Sequence, residues 1–160
     1  MFEHERAVNA QLIHICTMLA ADVADEDMAV QPFPGCNHPA WQLGHLALVS
    51  DSLLKLLGKE KRLPPEWEAL FGRESLPSTD RSQYPSKDIL LNALTEGYAA
   101  ARDAAAEADV VRMQRPNPLR FLAQLNTVGD LVANLLTGHF GMHVGQMSIW
   151  RRARGLPYNF

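Results

Sequence analysis

At 160 residues, 47% hydrophobic and 21% charged, the chain is long enough to bury one sizeable core and has the make-up of an ordinary globular protein. Its net charge of −3, without long acidic or basic runs, speaks against nucleic acid or an anionic membrane as partner. No stretch reaches the roughly 18 apolar residues of a membrane span, and the charged start Met1-Phe2-Glu3-His4-Glu5-Arg6 lacks the apolar stretch of a signal peptide, so one cytoplasmic domain over residues 1–160 is expected, with Cys16 and Cys36 as free thiols.

Val8, Leu12, Ile15, Leu19 and Val23 recur at helical spacing and predict a first helix over residues 2–23. Gln31-Pro32-Phe33-Pro34-Gly35 cannot continue it. A second helix starts at Asn37-His38-Pro39, with Asn37 or His38 as cap and proline in the first turn, and stops near Gly58. Residues 59–85 form a long, proline-bearing connection, with a short helix expected within residues 64–71. A third helix, capped by Ser86, runs to about residue 108 on a stripe of Leu90, Leu94, Tyr98, Ala101 and Ala105. Residues 109–126, around Pro116 and Pro118, read as irregular. The fourth helix opens at Thr127-Val128-Gly129-Asp130, a capping-box pattern, and is expected over residues 128–154 before Gly155 and Pro157. Arg151, Arg152 and Arg154 fall in its last turn, where cations suit the helix dipole. No alternating strand pattern competes. The fold class is all-α, a four-helix bundle with a long connection between helices two and three.

At about 100° per residue, Val132, Leu136, His139, His143, Met147 and Trp150 share one stripe of the fourth helix. It is apolar apart from the two histidines and should face the core. His139 and His143 are i and i+4, one turn apart, a spacing that brings two imidazoles to one point. On the second helix His45 shares its face with Trp41, Val49, Ser52 and Leu56, and Gly44 beside it permits close backbone approach. A lone buried histidine is ordinarily a hydrogen-bonded core residue, and an i, i+4 pair can be a surface pair. Three buried imidazoles without a shared partner are costly, however, whereas coordination satisfies one nitrogen on each.

The phrase from Asn37-His38-Pro39-Ala40-Trp41 to Gly44-His45-Leu46-Ala47, with His139-Phe140-Gly141-Met142-His143-Val144-Gly145-Gln146 and the closing Trp150-Arg151-Arg152-Ala153-Arg154-Gly155, resembles the DinB/YfiT-like superfamily. The resemblance covers nearly the whole chain. It implies an up-down-down-up four-helix bundle, often a homodimer. It also implies a divalent metal held by one histidine of helix two and two of helix four, by position His45, His139 and His143. Branches of that superfamily include thiol transferases that use bacillithiol or mycothiol, a thiol-dependent maleylpyruvate isomerase, and hydrolases. No motif here selects a branch.

Three protein ligands leave a position open, the pattern of a catalytic rather than a structural site. A small-molecule substrate is therefore expected. The metal is zinc or nickel first, with iron as an alternative, and a low-molecular-weight thiol is a candidate co-substrate. Neither helix two nor helix four presents a carboxylate on the histidine face, and Asp130 points away. Water attack wants a general base, while a metal-bound thiol needs less help. Thiol transfer is thus favoured over hydrolysis, with a non-catalytic metal-binding stress or interaction module as the third reading. Glu96 is a carboxylate from elsewhere that stays open. Gln146 is a candidate second neighbour or substrate contact, and Tyr98 a candidate proton donor or a core aromatic. His38 either lines the mouth or caps its helix. Cys36, nine residues and about 13 Å of helix rise before His45, is not expected as a ligand. His4 and His14 find no partner. No Glu-x-x-His occurs, which argues against a di-iron carboxylate site.

Overall fold

The computed structural model describes residues 1–119, 121–122 and 124–157. Among them the regular structure is helical, apart from an isolated bridge between Pro116 and Thr127. The helices are α1 (Glu3–Ala21), α2 (Pro39–Leu56), α3 (Trp67–Phe71), α4 (Lys87–Ala106), α5 (Val110–Met113), α6 (Val128–Leu136) and α7 (Gly138–Ala153). Among the described residues no helix is long and apolar enough to cross a membrane.

The centre of the molecule is α2, in which every residue from Pro39 to Asp51 is buried. It packs against α4, α3, α7 and α6, while α1 closes the other side against α7, α4 and α6. Such all-round burial explains why α2 reads as apolar on all faces rather than as one stripe. Polar groups this deep need partners. Asp51, 1% exposed, accepts from the backbone N–H groups of Arg62 and Leu63 and so folds the start of the connection onto α2.

Several helix ends follow from local chemistry. His38 caps α2, its Nδ1 accepting from the Trp41 N–H at 3.2 Å. Ser86 caps α4 and Thr127 with Asp130 forms the expected capping box on α6. Residues 109–126 hold one short helix that was not expected, α5, which Asp109 nucleates by accepting from the Arg112 N–H at 2.7 Å. The buried face of α1 consists of Asn9, Ile13, Cys16, Leu19 and Ala20, and Val8 is 48% exposed. The apolar spacing through Val8 therefore misjudged that face by about one residue. A buried polar residue, Asn9, was invisible to a hydrophobic count.

The fourth helix is not continuous. The backbone turns at Thr137 (φ −123°, ψ −78°) and divides it into α6 and α7. A β-branched residue followed by glycine is weak helix material, and a side chain of α1 takes up the Leu136 carbonyl at the turn, while the Ala133 carbonyl keeps its bond from the Thr137 N–H at 3.1 Å. Thr137 donates its hydroxyl to the Ala133 carbonyl at 2.7 Å, and the Asn9 amide donates to the Leu136 carbonyl at 2.8 Å. The break lies one residue before Gly138 and two before His139. Of the expected stripe, Val132, Leu136, His143, Met147 and Trp150 are buried, while His139, just after the break, is half-buried.

Candidate metal centre

His45 comes from the middle of α2, and His139 and His143 from the first two turns of α7. One ring nitrogen from each lies within 4.8 Å of the others. His45 Nε2 stands 3.4 Å from His139 Nε2. Ring centroids are 5.4 Å apart for His45 and His139, 4.9 Å for His45 and His143, and 4.8 Å for His139 and His143. Two imidazole nitrogens bound tetrahedrally at about 2.0–2.1 Å would be about 3.3–3.4 Å apart. The His45–His139 spacing matches that edge.

The protonation pattern favours lone pairs facing this point. His45 Nδ1 is 2.7 Å from the Phe71 carbonyl. A carbonyl only accepts, so Nδ1 carries the hydrogen and Nε2 of the neutral ring is bare. Burial first, and the neighbouring imidazoles second, lower the pKa of His143 to about 3 and of His139 to about 4. Burial also lowers His45, against the opposing pull of the Phe71 carbonyl and the Glu68 carboxylate. All three rings are neutral near pH 7. The buried Nδ1 atoms of His139 and His143 have no hydrogen-bond partner among the described residues. An ion shared by the three rings would satisfy one nitrogen on each; on His139 the nitrogen nearest His45 is Nε2, so its Nδ1 stays without a partner among the described residues. The donor set and spacing fit a divalent ion of the zinc type, and the three histidines can hold one.

The connection between α2 and α4 supplies the surroundings of His45. The Phe71 ring lies so close to α2 that a Cβ on Gly44 would come 2.2 Å from it. The close approach expected at Gly44 is thus real, but an aromatic ring makes it rather than backbone. The Trp41 indole lies flat on His45, with centroids 4.7 Å apart and planes 8° from parallel. Its Nε1 donates to Ser75 Oγ at 2.8 Å. Glu68 is the carboxylate that the reading of helices two and four missed. It lies on α3, an element too short to be aligned from sequence with a site on α2. Its carboxylate favours the charged form of His45, and its Oε1 would be 2.9 Å from a Cβ on Gly72, the residue after Phe71.

The other candidates fall as follows. Gln146, half-buried one turn beyond His143, accepts from Asn37 Nδ2 at 3.3 Å and favours the charged form of His143. It belongs to the surroundings of the site. Tyr98 is fully buried, packs edge-on against Phe140 with centroids 4.9 Å apart, and its hydroxyl finds no partner among the described residues. Burial drives its pKa upward, so it is a core aromatic and a poor proton donor. His38 is the helix cap, with Nε2 held 2.9 Å from the Ser78 carbonyl. Glu96 pairs with Arg62 at 2.9 Å on the far side of the connection. Cys16 and Cys36 are free thiols outside the histidine cluster.

A family model described as the DinB superfamily matches residues 11–147, and the chain belongs to that superfamily. The matched span includes all three histidines. No curated protein matches the chain.

Proposed function

We propose that the protein is a metal-dependent enzyme in which His45, His139 and His143 hold one divalent ion, zinc or nickel in the first instance, and that it transfers a low-molecular-weight thiol to a small electrophile. The observation that carries this reading is the convergence of three neutral imidazoles with the His45 tautomer set by the Phe71 carbonyl. A three-ligand ion supplies an open position and enough Lewis acidity to acidify a thiol or water that reaches it. In the transfer, the thiol's sulfur would form a bond to the acceptor's electrophilic carbon, and the thiol proton would leave to solvent or to the displaced group. Trp41, Phe71 and Ser75 limit water on the His45 flank, and Gln146 offers an amide to a substrate near His143.

Hydrolysis is the second reading, and Glu68 is what favours it, because a carboxylate near the site could act as general base. A metal-bound thiol needs no such base, which keeps transfer as the first reading. The test is elemental analysis of the purified protein and of His143→Ala, joined to a screen of small thiols with electrophilic acceptors. The wild type is expected to carry about one ion per chain, the variant to lose most of it, and activity to require thiol and vanish with chelator. Equal metal in both proteins would overturn the ligand assignment. Chelator-sensitive ester cleavage without thiol dependence would replace transfer by hydrolysis. Metal uptake with neither activity would favour a non-catalytic module.

A further inference from the structure

We infer that Ser75 is a positioning residue for the metal centre, acting through Trp41 to hold the His45 ring in its coordinating plane. The inference rests on the metal reading above. His45 is anchored at one atom by the bond from Nδ1 to the Phe71 carbonyl. A single bond of this kind leaves the imidazole free to tilt about it, and a tilt swings Nε2 away from the shared point. The stacked indole blocks the tilt, because the two rings lie 8° from parallel at 4.7 Å, within the range of favourable offset stacking.

What holds the indole is a two-bond clasp. Trp41 Nε1 donates to Ser75 Oγ at 2.8 Å, and the same hydroxyl donates to the Gly72 carbonyl at 2.8 Å. Ser75 therefore uses its hydroxyl as acceptor and donor at once, which among small side chains only serine and threonine can do. Gly72 directly follows Phe71, the source of the other anchor. Both constraints on His45 thus come from one short stretch of the connection, residues 71–75. That stretch has no metal-ligand spacing, so no motif search would select it.

Ligand-orienting partners of this type change metal affinity by about 10- to 100-fold when removed. The test is titration with Co²⁺, followed by its visible absorption, on wild type, Ser75→Ala, Ser75→Thr, Trp41→Phe and the double variant Ser75→Ala/Trp41→Phe. Ser75→Ala is expected to bind Co²⁺ about tenfold more weakly, with the melting temperature of the metal-free protein little changed. Ser75→Thr should restore most of the loss. Trp41→Phe, which keeps a ring but not the N–H, should weaken binding, and adding Ser75→Ala to it should cost little more, because the two residues act as one unit. Unchanged affinity in Ser75→Ala, or fully additive losses in the double variant, would overturn the positioning role while leaving the metal site standing. A wild type that takes up no Co²⁺ would overturn the metal reading, and this role with it.

Discussion

Burial holds His143 at a pKa of about 3 and His139 at about 4, against an ordinary imidazole value of 6.5. In the unfolded chain both rings titrate near the ordinary value. Between about pH 4 and 6.5 the unfolded state therefore binds more protons than the metal-free folded state. Stability must then rise with pH across that window and fall as the solution is acidified. The chelated protein is expected to melt at progressively lower temperature from pH 7 to pH 5, and a His143→Leu variant should show a shallower slope. A slope in the variant as steep as in the wild type would show that the ring at position 143 is not the group responsible. At this scale the sequence was informative about the histidines, because a 3.6-residue period puts His139 and His143 on one line with Val132 and Trp150. It was silent about Glu68 and Ser75, whose approach to His45 depends on how a proline-bearing connection folds back.

Elements meet at glycine where no side chain fits. A Cβ at Gly44 would lie 2.2–2.5 Å from ring atoms of Phe71, which is itself fully buried and has nowhere to go. Gly44→Ala should therefore destabilise by about 1–3 kcal/mol through overpacking. It should also draw the Phe71 carbonyl off His45, lowering metal affinity together with stability. Gly145, exposed on α7 with nothing within 4 Å of a built Cβ, is the matched control. Gly145→Ala should be neutral or stabilising by up to about 1 kcal/mol, because alanine is the better helix former. Urea unfolding of the two variants checks both signs. The α6–α7 break teaches the same lesson in reverse. Thr137-Gly138 is weak helix material, yet the apolar stripe runs straight through it, and it is the Thr137 backbone, at φ −123° and ψ −78°, that shows the chain turning there.

Across the whole molecule, the first and last helices are tied by Arg151, which is 2% exposed. Its guanidinium donates to the Leu19 carbonyl at 2.7 Å and to the Pro157 carbonyl at 2.9 Å, and it forms a two-pronged pair with Asp22. It lies in the last turn of α7, as expected of a cation suited to the helix dipole, and it also pins α7 to the end of α1. The metal would add a second tie, between α2 and α7. A ligand that binds only the folded state stabilises it by about 2.7 kcal/mol at a hundred times its dissociation constant. For a chain of this size that corresponds to a rise in melting temperature of about 5–10 °C. Adding Zn²⁺ to the chelated wild type should produce a rise of that order, and His45→Ala should show almost none. An equal rise in the variant would mean that the ion binds elsewhere.

The four long helical segments, the caps at Ser86 and Thr127, a cap at Asn37 or His38, and the alignment of His139 with His143 were readable from the chain alone, because each depends on residues within one or two turns of each other. The resemblance carried by the motifs around His45 and His139 led to the superfamily that the family match then established. Local periodicity had no means of showing which face of α1 is buried, that the last helix bends at Thr137, or that Phe71, Glu68 and Ser75 gather around His45. The hydrogen bonds concerned join residues 26 to 127 positions apart, and only the packing of the connection on α2 and of α1 on α6 brings those residues together.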